Sequence, residues 1–197
     1  GSLSAGAVIV AAGGRSIPKM GASDLGYRIA QGFGLRMVEP RPALVPLTFT
    51  DAQLDAIRPL AGVSVQARVG VEGAKIAFEE GLLFTHRGLS ILQISSYWAP
   101  GRAIRVDLAA GRDLAAEAEA GRGRGLGGRD LANALDLPQA LARAVVARAG
   151  LAGRLGDVSR AGFEALRAAV HDWRLVPAGT EGWRTAEVTA GGVDTRD

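Results

Sequence analysis

The 197-residue sequence contains no cysteine and only two histidines, His86 and His171. The absence of cysteine excludes disulfide bonds, thiolate metal ligands and dithiol redox centres. The two histidines lie far apart in the sequence and form no metal-binding motif. No apolar run approaches the roughly 18 residues that span a bilayer, and no charged-then-apolar signal pattern opens the sequence. We therefore expect a cytoplasmic protein with no membrane partner and no metal site.

Lysine is also scarce, so arginine supplies nearly all of the positive charge; the lysines are Lys19 and Lys75. The net charge is +3 at pH 7. The arginines are spread along a sequence that contains 28 glycines. This spread is typical of a solvated surface, whereas nucleic-acid-binding proteins usually cluster their basic residues. On this pattern we do not expect nucleic acid to be a partner.

The segment from Val8 to Ala12 is a short apolar run rich in β-branched residues, which predicts a strand buried on both faces of a parallel sheet. It ends in Gly13-Gly14, where a ligand or another backbone can approach closely. Pro18 stiffens the following loop, and a helix then ends at Gly34. Strand, glycine turn, loop and helix are typical of the ligand-bearing corner of an open α/β sheet.

The middle of the sequence favours a small barrel. Residues 63–78 alternate between apolar and polar around Glu72-Gly73, which predicts a hairpin with one buried face. Further short strands are predicted at 82–85, 104–108, 175–176 and 185–190. The pattern from Arg112 to Trp173 is helical, so we expect helices inserted within the barrel. An isolated hairpin is only marginally stable, so Thr185 to Val188 should pair with strands of the first half of the chain.

The run from Gly123 to Gly128 matches G-x-G-x-x-G, but no predicted strand precedes it, so we reject it as a dinucleotide-binding motif. A flexible linker is one interpretation of this run. The other is an RNA-binding segment that uses Arg122, Arg124 and Arg129. The segment has no interleaved aromatic residue for base stacking, which argues against this second interpretation.

His86 follows a buried strand and precedes Gly88, a setting in which an imidazole could enter a cleft and transfer protons near neutral pH. The alternative is a loop histidine bonded to the backbone. Near the end of the sequence, Gly191-Gly192 directly follows a predicted strand, as Gly13-Gly14 does. The two glycine pairs suggest that the chain leaves a parallel sheet and returns to it.

The sequence resembles the YhiN/BaiN-type family of bacterial FAD-dependent oxidoreductases. The matching stretches are residues 8–14, 17–21, 26–30, 42–47, 82–90, 91–98 and 189–194, in the family's order. The resemblance implies an α+β fold: a small Greek-key-like β-barrel with an inserted helical subdomain, flanked by remnants of an α/β FAD-binding domain. The implied parts are 1–42 as the edge of that domain, 43–111 as the barrel, 112–173 as the helical subdomain, 174–189 as the barrel return and 190–197 as the re-entry.

The resemblance further implies FAD as the cofactor of the parent protein, allows NAD(P)H as its reductant, and implies a small-molecule substrate. Residues expected to line or approach FAD are Gly13, Gly14, Pro18, Gly21, Gly191 and Gly192. His86 is the candidate catalytic residue. The family's N-terminal strand–turn–helix, which holds the ADP half of FAD, has no counterpart here, and its C-terminal flavin segment is expected after Asp197. Relatives also have Gly-Pro-Ala where Ile91 directly follows Ser90.

We therefore interpret the chain as the substrate-side insert of a flavin-dependent oxidoreductase, inactive alone and not retaining FAD. An exposed sheet edge at residues 8–12 would favour self-association. The alternative function is a stand-alone small-barrel module that binds nucleic acid through its arginine–glycine segment.

Overall fold

The computed structural model describes residues 1–196, and Asp197, the last residue of the predicted re-entry segment, lies outside them. The chain forms two compact units. The first unit combines residues 1–45 with the segment from Glu181 onward, and the second runs from Pro46 to Thr180. Across the described residues, none of the helices has the length and apolarity needed to cross a bilayer.

The strands are short. In chain order they are β1 (Met37–Ala43), β2 (Leu47–Thr48), β3 (Ser64–Val71), β4 (Ala77–Thr85), β5 (Gly88–Ser90), β6 (Ile104–Asp107), β7 (Trp173–Leu175), β8 (Gly179–Thr180) and β9 (Val188–Val193). The α-helices are α1 (Leu25–Gly32), α2 (Asp51–Ile57), α3 (Leu92–Ser95), α4 (Leu114–Gly121), α5 (Gln139–Arg148) and α6 (Arg160–His171).

The second unit contains a seven-stranded antiparallel sheet in the order β7-β6-β3-β4-β5-β2-β8. Alternate residues of the long β3–β4 hairpin are buried, among them Val69 and Phe84, because successive strand side chains point to opposite faces. The two outer strands, β7 and β8, are separated in the chain by residues 176–178 alone. This barrel-like sheet, with its helices, confirms the predicted α+β class.

Helices α4 to α6 lie in the chain between β6 and β7, which pair directly, with Val106 opposite Trp173. Ser159 caps α6 by accepting a hydrogen bond from the Gly162 N–H through its hydroxyl. Phe163 on α6 is buried in the same apolar core as the barrel residues. The helices are therefore an insertion between neighbouring strands.

The predicted return strand at Thr185 to Val188 is wrong in its position. Residues 182–184 form a single 3₁₀ turn, and only Val188 belongs to a strand. That strand, β9, pairs with β1 and places Val188 opposite Ala43, outside the seven-stranded sheet. The strands that return to the barrel are β7 and β8. Likewise, residues 82–85 are the end of β4 and not a separate strand.

The predicted strand from Val8 to Ala12 is also wrong. These residues form no strand and are exposed; Ile9 retains 90% of its accessible surface. A strand buried on both faces needs hydrogen-bonded neighbours, and the sheet of the first unit consists of β1 and β9. Gly191 and Gly192 lie in β9, which pairs antiparallel with β1, so they do not form the predicted edge of a parallel sheet.

Candidate functional site

A polar cleft of about 490 Å³ lies within the first unit. Gly13, Gly14 and Gly21, three of the predicted cofactor-binding residues, line it together with Tyr27 and Thr189. The other predicted cofactor residues, Pro18, Gly191 and Gly192, are not among its lining residues. The fold thus brings half of the predicted set together.

Hydrogen bonds to one hydroxyl hold the cleft together. The backbone N–H of Arg15 donates to Thr189 Oγ1 over 3.0 Å, and Ser16 Oγ lies 3.1 Å from the same atom. A Cβ added to Gly14 would collide with the Thr189 side chain, so only glycine fits there. Gly13 has a φ of 69° and open space where a side chain would stand, so its backbone is accessible to a ligand.

Two residues of the first unit, Ile17 and Gly191, have an unusual backbone conformation or unusually close packing. Ile17 has a φ of 54°, a left-handed conformation that is rare for a β-branched residue. Gly191, with a φ of 85°, packs so closely on β1 that an added Cβ would lie 2.5 Å from the carbonyl oxygen of Glu39. The β1–β9 register shifts at this place, between Val38 and Arg41. Gly191 therefore has a structural reason to be glycine that requires no ligand.

The two histidines have different surroundings. His86 is exposed in the tight turn that joins β4 to β5, where the Thr85 hydroxyl accepts a hydrogen bond from the Gly88 N–H. His171, at the end of α6, is held by Asp107, with 2.8 Å between its Nδ1 and the carboxylate. His86 is thus the histidine whose imidazole faces solvent, while His171 is part of the packing between β6 and α6.

The arginine–glycine segment follows α4 as a wide turn from Arg122 to Leu126, with Gly125 in a left-handed conformation. Arg122 is fixed within the structure. Its Nη1 donates to the Val158 carbonyl oxygen over 2.7 Å, and its guanidinium lies over the Phe163 ring. Arg124 and Arg129 are exposed. The segment is thus held by contacts at Arg122, Gly127 and Arg129, while the glycines between them have open space around them.

A second glycine-flanked arginine lies beside this segment. Asp130 and Arg154 form an isolated antiparallel bridge, in which the Leu131 N–H donates to Gly153 O and the Leu155 N–H donates to Arg129 O, both over 2.9 Å. The sequence pattern did not include Arg154 among the candidate RNA-binding arginines, because its turn is distant in sequence from the arginine–glycine segment. The repeat of glycine-flanked arginine, in Gly153-Arg154-Leu155-Gly156, was the available signal.

Many other arginines of this unit are paired with carboxylates. Glu72 accepts hydrogen bonds from Arg174 and Arg105, and the bond from Arg174 is the main cause that lowers the pKa of Glu72. Arg112 is held by both Glu117 and Asp136, each at 2.7 Å. Within residues 1–196, no group of histidine and carboxylate side chains could hold a metal ion. Carboxylate partners thus neutralise part of the positive charge of this unit.

Comparison with known proteins gives two results. Residues 41–188 match the family described as the HI0933-like protein barrel and H2TH domain. The chain is also 41% identical, over 198 aligned residues, to the ribosomal RNA dihydrouridine synthase of Escherichia coli (strain K12). It is 36% identical to the protein of the same name from Haemophilus influenzae. Each alignment covers 96% of this chain and 48% of the relative, so the chain spans about half the length of these relatives.

These names correct two predictions. The interpretation as the substrate-side insert of a flavin-dependent oxidoreductase is wrong, because both relatives are named for a modification of ribosomal RNA. The same names contradict the expectation that nucleic acid is not a partner. That expectation considered the spread of arginines along the sequence, whereas the fold pairs the backbone of Asp130, which follows Arg129, with that of Arg154. The resemblance itself holds at the level of the barrel and helices: the chain belongs to the family of the HI0933-like protein barrel and H2TH domain.

Proposed function

We propose that this chain is part of an enzyme that modifies ribosomal RNA by converting uridine to dihydrouridine, and that its barrel-and-helix unit contacts the RNA. The observation that carries the proposal is the similarity over 96% of the chain to two relatives named ribosomal RNA dihydrouridine synthase. The exposed arginines of the second unit support an RNA-contacting role, because arginine pairs well with phosphate groups.

Conversion of uridine to dihydrouridine adds two hydrogens across a carbon–carbon double bond, so the whole enzyme needs a hydride donor. We propose a flavin, with FAD as the first form to test; a reduced flavin supplies a hydride. The cleft of the first unit fits a ligand in one respect, since the backbones of Gly13 and Gly21 are open to approach. Pro18, Gly191 and Gly192 would act by shaping the surrounding backbone.

His86 remains the proposed catalytic residue, in the role of a proton donor to the base. Its imidazole is exposed, whereas His171 is engaged with Asp107. In the full-length protein, His86→Gln should lower the rate of uridine reduction and change its pH profile near neutrality. The matched variant His171→Gln should alter stability while leaving the pH profile of the remaining activity unchanged. Equal pH profiles for wild type and His86→Gln would remove His86 from the proposal.

The decisive experiment uses the full-length protein and ribosomal RNA. Cells that lack the gene should lose dihydrouridine from ribosomal RNA, as measured by mass spectrometry of nucleosides, and the plasmid-borne gene should restore it. Unchanged dihydrouridine after deletion would reject the proposal. Because ribosomes work in the cytoplasm, the proposed activity belongs there. The 197-residue chain alone should bind RNA without modifying it.

A further inference from the structure

We infer that two turns of the helical region bind the phosphate backbone of base-paired RNA, an inference that rests on the proposed function and names the RNA structure recognised. The turns are residues 121–131 and 152–160, called here the paired turns. Two kinds of backbone contact join them. One is the antiparallel β-bridge between the backbones of Asp130 and Arg154, and the other is a hydrogen bond of 2.8 Å from the Gly156 N–H to the Gly127 carbonyl oxygen.

The paired turns concentrate positive charge. They contain five arginines, Arg122, Arg124, Arg129, Arg154 and Arg160, against two aspartates, Asp130 and Asp157. This excess of three positive charges is as large as the net charge of the whole chain, +3. A local excess of this kind raises the concentration of a polyanion at the surface.

In the part of the chain that the structure describes, most arginines of the paired turns lack a side-chain partner, as Arg68 and Arg143 elsewhere in the second unit also do. Within the described residues, no ion pair or side-chain hydrogen bond engages Arg124, Arg129 or Arg154, and all three are exposed. Asp130 lies opposite Arg154 but turns its carboxylate to the backbone N–H groups of residues 132 and 133, over 3.0 and 3.3 Å. The three guanidinium groups thus remain available for an external anion.

Further contacts hold the paired turns to each other. Arg122 connects them by donating to the Val158 carbonyl oxygen. At Gly156, an added Cβ would lie 3.0 Å from the Gly127 carbonyl oxygen, so glycine allows the two backbones to lie this close. Because these contacts set the spacing of the two backbones, less backbone ordering is needed when RNA binds.

The absence of available aromatic rings points to base-paired RNA. The paired turns contain no phenylalanine, tyrosine or tryptophan. The Phe163 ring next to them is buried and covered by Arg122. Proteins that hold single-stranded RNA stack the bases on exposed aromatic side chains, whereas double-stranded RNA is recognised through its shape, phosphates and 2′-hydroxyls.

The test measures binding of the 197-residue chain to a short RNA duplex and to poly(U) of equal length, by fluorescence anisotropy at several salt concentrations. We expect tighter binding to the duplex. The triple variant Arg124→Gln/Arg129→Gln/Arg154→Gln should bind the duplex at least about tenfold more weakly, and the slope of log affinity against log salt should fall by about 3. Asp157→Asn should strengthen binding.

The matched control, Arg112→Gln/Arg167→Gln/Arg174→Gln, removes the same charge from arginines that are paired with carboxylates. It should leave duplex affinity within about twofold of wild type. Equal weakening by both triple variants, tighter binding to poly(U), or equal binding to polyglutamate would overturn the inference. Thermal melts followed by circular dichroism verify that both variants fold.

A second readout separates this inference from the proposed function. The full-length protein carrying each triple variant is tested for dihydrouridine in ribosomal RNA. If wild-type protein produces dihydrouridine and the first triple variant binds the duplex normally, the inference fails and the proposed function stands. If wild-type protein produces none, the proposed function fails, whatever the duplex-binding results are.

Discussion

The guanidinium carbon of Arg122 lies 4.9 Å from the centre of the Phe163 ring, and Nη1 of the same side chain donates to the Val158 carbonyl oxygen. Both contacts tie the turn after α4 to the start of α6. Arg122 is therefore a structural residue within a segment whose other arginines are exposed.

Replacement of Arg122 by glutamine should lower the free energy of unfolding by about 1 to 3 kcal/mol, through loss of the cation–π contact and of a charged hydrogen bond. The matched variant Arg124→Gln should change it by less than about 0.5 kcal/mol, since Arg124 is exposed. Urea unfolding followed by circular dichroism gives both values. Equal effects of the two variants would contradict the structural role of Arg122.

Asp113 predicts an acid-dependent component of stability. The backbone N–H of Ala116 donates to its carboxylate, and this bond, with help from Arg167, lowers the pKa of Asp113 below its ordinary value of 3.8. A carboxylate with a lowered pKa stabilises the fold above its ordinary pKa, and this contribution is lost as the pH falls through the folded-state value. Asparagine keeps the helix cap without the charge.

The variant Asp113→Asn should therefore be less stable than wild type at neutral pH, and the difference should shrink as the pH falls below about 4. Urea unfolding at a series of pH values measures it. A difference that stays constant down to about pH 2 would show that ionisation of Asp113 does not contribute.

In the cleft of the first unit, close packing leaves no room for a side chain at Gly14. The substitution Gly14→Ala should destabilise this unit by about 1 to 3 kcal/mol, because the added methyl group meets the Thr189 side chain and the Tyr27 hydroxyl. Gly6→Ala is the control, since Gly6 has open space around it. Hydrogen exchange of the β9 amides reports on this unit, and unchanged exchange in Gly14→Ala would contradict the packing described.

The side chain of Phe84 should contribute strongly to the stability of the barrel core. Phe84 on β4 is buried, and its ring centre lies 5.9 Å from that of Trp173 on β7. The substitution Phe84→Ala should therefore lower the free energy of unfolding by about 3 to 5 kcal/mol. Its neighbour Leu83 is 39% exposed, and Leu83→Ala should cost far less. Chemical denaturation compares the two, and similar losses would indicate that the faces of β4 are assigned incorrectly.

The patterns that predicted the fold well are those that depend on nearby residues. Alternation in residues 63–78 predicted the β3–β4 hairpin, and the helical pattern from Arg112 to Trp173 predicted the region of α4 to α6. Predictions that needed distant partners failed. The apolar run from Val8 to Ala12 has the composition of a buried strand but pairs with no strand in the described chain.

The candidate site shows the same division. Gly13 and Gly14 were predicted to face a ligand from their own turn, and they do line a cleft. Arg154 was not found, because nothing near it in the sequence shows that its backbone pairs with Asp130. The sequence patterns also did not predict the function, because a resemblance in architecture does not specify the substrate.

The direct pairing of β6 with β7 has a consequence for the order of folding. Residues 108–172 must close into a loop before Val106 can meet Trp173, and such a loop costs about 2 to 3 kcal/mol more entropy than a four-residue turn. The bond from the Leu108 N–H to the Val170 carbonyl oxygen, which joins the two ends of this region, depends on helix formation. Strand β7 should therefore dock after the helices have formed, and β8, which follows it in the chain, should complete the barrel last.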